Sequence, residues 1–350
     1  MMRVIGSAGA VLLLVLLAGA TYQGLATALE RREFPRPGPL VNVGDHQLHI
    51  QCLGKGAPVV VLEAPAAGMS AAWGWVEPPV ARTTRVCSYD RAGLGWSERA
   101  DGPYDPGNTT AELRKALEGA GSRGPFIIAG QGLGAAFAML FASRFPNDTA
   151  ALVLVDAPRS AAPAERDAAI RFARTWPWLA RIGALRAATV LSRRADGLPP
   201  SAGGALGMFL NRPDHLTQAG RELSHWDEVI GRAAAAALPD VPVTRLDIAG
   251  NGRVAFLTDK TAAERVAAAI LDAGSAVRKR DKIRQSMGRP EGRSLHKQIG
   301  RPCDGGSDDR PYVQRRWSGP AFKPATIRAI SGSLRPGSGL TEDPLCDGSG

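Results

Sequence analysis

The sequence predicts an α/β fold, a mostly parallel sheet flanked by helices, with a helical segment inserted late in the chain. Three observations carry this. Wholly apolar short runs recur, such as Val59-Val60-Val61-Leu62 and Ala151-Leu152-Val153-Leu154-Val155, and runs without polar alternation belong to strands buried on both faces. These runs alternate with stretches of helical character, the order that produces parallel pairing. Apolar residues form 44% of the 350 and charged residues 22%. That is enough to fill a core, and it excludes a fully disordered, fibrous or polytopic membrane protein.

The elements follow in order. Val41–Leu53 reads as a hairpin, with Gly44-Asp45 as its turn and His49 and Gln51 opposite Leu48 and Ile50. Val59–Leu62 and Thr84–Tyr89 are short strands. Ala111–Gly119 is a helix, with Thr109 or Thr110 as cap. Phe126–Ala129 is a strand running into Gly130-Gln131-Gly132-Leu133-Gly134, and Ala135–Phe145 is a helix stopped by Pro146. Ala151–Val155 is a strand ending at Asp156. Residues 160–236 are helical around a turn-rich Gly197–Gly204. Val241–Ile248 is a further strand and Thr261–Ala273 a helix. The main domain spans 41–274.

The two ends differ from the middle. No charge occurs between Arg3 and Glu30, and Val11–Leu17 is continuously apolar. Residues 1–29 therefore read as a secretory signal peptide or a membrane anchor, with Ala18-Gly19-Ala20 as the small-residue triplet of a cleavage site. Residues 30–40 form a charged, Pro-rich linker. Either reading makes the protein exported, with the membrane as a partner through this segment. Residues 275–350 hold 15 Lys/Arg against 8 Asp/Glu, +7 of the net +10, leaving +3 for the first 274. They read as a poorly ordered basic tail. A polybasic arm and a frame-disrupted gene end are the other readings of it. Aromatics are sparse there and acids interrupt the basic run, so no nucleic acid is expected as a partner. The four cysteines (Cys52, Cys87, Cys303 and Cys346) show no Cys-x-x-Cys spacing, and neither a metal nor a cofactor is expected.

Residues 40–250 resemble the α/β-hydrolase superfamily, in particular its exported, N-terminally anchored bacterial members. The motifs fall in the family's order. Leu48-His49-Ile50-Gln51-Cys52-Leu53-Gly54 closes the opening hairpin, and Pro58–Ala64 is the strand before the oxyanion loop. Trp73 and Trp75 follow. Asp90-Arg91-Ala92-Gly93-Leu94-Gly95-Trp96-Ser97 matches the strand-and-turn signature, and Gly124-Pro125 leads to the elbow strand. The resemblance implies an ester- or amide-hydrolase architecture with a lid over about 160–236. It implies an acid after a late strand and a histidine after the last. It also implies that Cys52 and Cys87, at adjoining ends of neighbouring antiparallel strands, form a disulfide.

One departure dominates. The nucleophile elbow requires Gly-x-Ser-x-Gly, and here Gly132 holds the serine position, with no Ser, Cys or Asp from 131 to 135. Glycine has no side chain with which to form an acyl intermediate. Asp156 is the candidate acid, with a turn or cap role as its other reading. His296 is the only late histidine and therefore the candidate base, although no strand precedes it. Leu133 and Ala66 are the candidate oxyanion-type amides, since Pro65 has no N–H. The family's final strand and helix are expected to be missing or divergent. The sequence thus predicts a catalytically impaired relative, either a binder of a small apolar ligand beneath its lid or a decayed paralogue, with Trp176, Trp178, Leu179, Ile182 and Leu185 as lining or as plain packing. Two alternatives stand beside it: an active hydrolase with a non-standard mechanism, and a dinucleotide-binding Rossmann domain built on Gly130, Gly132 and Ala135 with Asp156 on the next strand.

Overall fold

A computed structural model of the chain describes residues 2–157, 163–248 and 256–287. The long helix α1 (Met2–Glu33) is followed by β1 (Leu40–Asn42), β2 (Gln47–Leu53), β3 (Val60–Glu63), α2 (Glu77–Ala81), β4 (Val86–Tyr89), α3 (Pro106–Gly119), β5 (Phe126–Gln131), α4 (Leu133–Arg144) and β6 (Thr149–Val155). Five helices come next: α5 (Pro163–Arg181), α6 (Ala184–Ala188), α7 (Pro200–Leu210), α8 (Pro213–Ser224) and α9 (Trp226–Ala234). Strand β7 (Val243–Leu246) and helix α10 (Lys260–Met287) complete the described chain.

The strand order is β1-β2-β4-β3-β5-β6-β7. Strands β1 and β2 run antiparallel to their neighbours, and β4, β3, β5, β6 and β7 are parallel. The apolar runs explain why this sheet sits in the middle of the domain. Alternate residues of each strand point to opposite faces. Val60, Leu62, Ile127, Ala129 and Val153 meet Val266 and Ile270 of α10 on one face. Val61, Ile128, Leu152 and Leu154 meet Leu113 and Leu117 of α3 and Phe141 of α4 on the other. Along β3, β4, β5 and β6 neither face reaches solvent, so polar alternation is absent there, whereas edge strand β7 is partly exposed.

Several boundaries differ from expectation. Helix α3 begins a turn and a half earlier than its apolar pattern suggests. Its cap is Asp105, whose Oδ1 accepts the Gly107 N–H at 2.8 Å, whereas Thr109 and Thr110 lie buried inside the helix. Pro106 is well placed at the first helical position, where its missing N–H costs nothing. Strand β7 is four residues, so Asp247 lies just beyond it. Helix α1 runs to Glu33, past the expected linker start at residue 30.

The largest correction concerns the C-terminal boundary. Helix α10 continues through 275–287, and Val277 and Ala273 are buried one turn apart against the sheet. The high charge of that segment lies on the helix's outer side and hid the apolar stripe. Residues 288–350 and His296 lie outside the described residues. Among the described residues no strand follows β7.

The antiparallel register sets Cys52 directly opposite Cys87, and in the structure their sulfurs are joined. The link closes a loop of 35 residues, and a loop of that size raises stability by about 3–4 kcal/mol, chiefly by restricting the unfolded chain. Replacing both cysteines with alanine should lower the denaturation midpoint accordingly. Alkylation of the unreduced, unfolded protein should leave this pair unmodified by mass, and labelling of both would remove the bond.

Candidate active site at the strand-to-helix elbow

The elbow joins β5 to α4 through one residue. Gly132 has φ 55° and ψ −122°, a conformation that costs an L-residue roughly 1–3 kcal/mol. Its N–H donates to the Val155 carbonyl at 2.9 Å, and its own carbonyl accepts the Ala135 N–H at 2.9 Å. The flanking glycines are there for close approach. A Cβ on Gly134 would collide with the Glu63 and Ala64 carbonyls, and one on Gly130 with the Gly134 backbone. Gly132 itself has room, because a Cβ there would meet only Pro65 Cβ, at 3.9 Å. The turn that would present a nucleophile is present, and the side chain is not.

The loop after β3 passes beside this turn. Pro65, Ala66 and Ala67 are buried, and Ala67 has φ 56°. Leu133 and Ala66, the two expected amide donors, are both fully buried and share one apolar cluster with Phe137 of α4 and Leu223 and Trp226 of the helical insertion.

The loop is held by a buried ionic joint that sequence reading did not find. Arg91, 4% exposed, uses each of its five N–H groups. Nε and Nη2 donate to the two oxygens of Glu222 on α8, at 2.7 and 2.9 Å. Nη1 donates to the Ala64 carbonyl at 2.7 Å and to Glu63 at 3.3 Å, and Nη2 also to the Pro65 carbonyl at 3.0 Å. Tyr89 donates its hydroxyl to the other Glu63 oxygen. Burial pushes Glu63 up to about 7 in spite of Arg91 and Tyr89. Burial opposes charge on Arg91 too, but Glu222 and Glu63 outweigh it and keep the guanidinium ionised. A signal was present in the sequence: Glu63 is a lone acid closing an otherwise apolar strand, and such an acid needs a buried partner.

A second joint repeats the pattern. His215 of α8 is buried, with Nδ1 accepting the Gly95 N–H at 3.0 Å and Nε2 facing the Ala67 carbonyl at 3.1 Å. An acceptor Nδ1 places the proton on Nε2, which then donates to Ala67. Burial holds this histidine below its ordinary range, so it stays neutral. Asp90 accepts the Ser70 and Trp96 N–H groups and pairs with His49 at 3.0 Å. Burial raises Asp90, but His49 and the two amides prevail and keep it below 3.8. The signature Asp90–Ser97 is therefore structural: it ties strand β4, the loop after β3 and the insertion together.

The remaining candidates are dispersed. Asp156, at φ 46°, ends β6; its N–H donates to the Leu246 carbonyl at 2.8 Å, and its Oδ1 accepts the Ile248 N–H at 2.7 Å. This is the turn role, fastening β6 to β7 one strand away from the elbow. His46 pairs with Asp45 and His225 with the Arg221 carbonyl. Trp178, Leu179 and Ile182, expected to line a space beneath the insertion, face outward, with Trp178 70% exposed. Ile182 and Gly183 lie instead against Gly19 and Tyr22 of α1. Leu185 is buried in a cluster that joins the insertion to Met69, Ala72 and Phe256, and Trp176 packs against that cluster. The dinucleotide alternative is not favoured, because the strand before Gly132 is the fifth in chain order and not the first, and the sheet opens with two antiparallel strands.

A family profile described as "Alpha/beta hydrolase family" matches residues 59–285. Among curated proteins, the chain is 35% identical over 82 residues to an uncharacterized protein of Schizosaccharomyces pombe, covering 23% of this chain and 15% of that one. It is 31% identical over 123 residues to the 2-hydroxy-6-oxo-2,4-heptadienoate hydrolase of Pseudomonas putida, covering 34% and 44%. The chain thus spans less than half the length of these relatives. Among solved structures, Cfl2 from Burkholderia cenocepacia superposes with a TM-score of 0.53 at 21% identity, covering 67% of this chain and 94% of that one, which is a likeness of fold.

Two outcomes follow from the Arg91 joint. Arg91→Ala leaves buried carboxylates uncompensated and should cost about 3–5 kcal/mol in denaturant unfolding. Glu63 moves from an ordinary 4.5 in the unfolded chain to about 7 in the folded one, so the folded protein holds this proton more tightly. Its contribution to stability is present below pH 4.5 and is lost as pH rises through about 7. Glu63→Gln should flatten that part of the stability–pH curve, and an unchanged slope would contradict the assignment.

Proposed function

The chain belongs to the alpha/beta hydrolase family, and we propose that it is a pseudoenzyme of the ester- or amide-hydrolase type, retaining the architecture without serine-hydrolase chemistry. The observation that carries this reading is Gly132: an elbow in the strained backbone conformation, with space for a side chain and none attached. Acyl transfer by this fold needs a nucleophile at that turn, a base to deprotonate it and an acid to orient the base. Among the described residues, Asp156 bonds β7, while His46, His49, His215 and His225 hold partners elsewhere. The family relationship makes hydrolysis the background expectation, and the missing hydroxymethyl group argues against it.

The N-terminal helix supports a location. Its residues 7–33 are long and apolar enough to cross a bilayer. Leu12, Leu14 and Leu17 stand exposed. Farther along, Arg186 of the insertion donates to Gln23 at 2.9 Å and pairs with Glu30. The reading is an exported domain seated against its own anchor.

A fluorophosphonate probe, which phosphonylates activated serines with loss of fluoride, should leave the wild-type protein unlabelled at high protein concentration. Labelling that heat denaturation abolishes would overturn the reading. Gly132→Ser should fold, at a cost of about 1–3 kcal/mol for a side chain at positive φ, and should hydrolyse p-nitrophenyl acetate no faster than the wild type. Turnover by this variant would show that a base and an acid remain in place.

A further inference from the structure

A chamber of about 900 Å³ lies at the foot of α1, with no residue of the elbow or of the loop 64–67 in its wall. Its size suits a small organic ligand. Phe34, Trp75, Trp96, Pro199 and Ala202 supply apolar surface. The polar part comes from β2, β4, α2 and the turn before α2.

Two buried groups in that polar part lack what burial demands, and a half-buried amide, Gln51, lies beside them. Glu77 is 8% exposed; one of its oxygens accepts the Ser88 hydroxyl at 2.9 Å, and no described Lys or Arg pairs with the carboxyl. Ser70 is 4% exposed, and its hydroxyl has no hydrogen-bond partner. Gln51 sits directly across the strand pair from Ser88, so its amide lies on the same face as the Glu77–Ser88 bond. Buried polar atoms without partners cost free energy and call for an explanation. Together they offer a carboxylate, a hydroxyl and an amide oxygen beside two indole rings.

We propose that this chamber binds an organic amine with an apolar body, its ammonium on Glu77, Ser70 and Gln51 and its body between Trp75 and Trp96. An ammonium carries three donors and no acceptor, matching the three acceptors present. Indole faces add cation–π attraction. A carboxylate ligand would be repelled by Glu77, and a neutral alcohol would gain no ion pair.

The charged groups around the chamber set the pH behaviour. Burial, with a contribution from Asp90, pushes Glu77 up to about 7, while Ser88 pulls the other way. Glu33, Arg36, Arg82, Lys260 and Glu264 lie in the wall. Of these, Lys260 stands 5.4 Å over the Trp75 ring and 3.9 Å from Glu264, and Arg36 donates to the Gly38 carbonyl. An ammonium binds the carboxylate form, so affinity should rise as pH climbs through about 7.

The test uses the full chain in phospholipid nanodiscs, free of detergent, titrated calorimetrically with 2-(1-naphthyl)ethylamine. The matching alcohol and carboxylic acid serve as comparisons. At mildly alkaline pH the amine should bind about tenfold or more tightly than the alcohol, the acid should not bind, and the preference should shrink at acid pH. Glu77→Gln should abolish the preference for amine over alcohol. Ala205→Trp, which places an indole in the chamber from α7 and leaves the Glu77 carboxyl in the chain, should block both ligands. Variants are compared only where their circular dichroism and melting match the wild type; Ala205→Trp keeps the test decisive should Glu77→Gln fail to fold. No amine binding, equal binding of amine and alcohol, or unchanged affinity in the folded variants would each overturn the proposal. None of these outcomes depends on whether Gly132 supports chemistry.

Discussion

Arg91 is the constraint from which the upper half of the molecule is organised. Its fork joins the acid that ends β3, two carbonyls of the following loop, and Glu222 on the insertion. A guanidinium can do this because its donors are planar, fixed and permanently charged; a lysine would offer a single point charge. The position of the loop beside the elbow and the docking of α8 therefore come from one side chain. His215 adds a neutral second tie from the same helix to Ala67. Breaking either tie exposes buried polar groups on both sides of the contact, which is why the insertion behaves as part of the domain and not as an appended flap.

The elbow keeps its shape without a side chain at position 132. Its shape is made by main-chain contacts: Gly132 N–H on Val155, and the tight passage of Gly134 beneath Glu63 and Ala64. None of these needs the side chain at 132. Glycine also relieves the strain that a serine would store there. Leu133 and Ala66, the amides that would face a developing oxyanion, are enclosed by Phe137, Leu223 and Trp226, so apolar packing sits close around the turn. The Glu77 chamber lies elsewhere, bounded by the segment that leaves α1, by α2 and by α7.

Legibility varied with the range of the interaction. The strands were readable because burial on both faces leaves a short apolar run rich in β-branched residues, bounded by turn residues. The Asp105 cap and the start of α3 were not, because Pro106-Gly107-Asn108 has poor helical propensity and is carried by its cap. The extension of α10 to Met287 was missed because five basic residues between Arg278 and Arg284 dominate its composition, while Ala273 and Val277 alone keep the buried stripe. The outward turn of Trp178 was also unreadable: an apolar side chain states that it avoids water, not which surface it finds.

By itself the sequence determined the sheet-and-helix order, the glycine where a nucleophile would stand, and the apolar N-terminal helix. Each of these is local, set by side-chain chemistry at successive positions. Only the tertiary structure decided that Asp90, Arg91 and His215 are fastenings, that Asp156 ties two strands, and that Glu77 is buried without a cation. Those properties depend on which groups meet across gaps of up to 148 residues, and burial gives a charge its meaning only once its neighbours are in place.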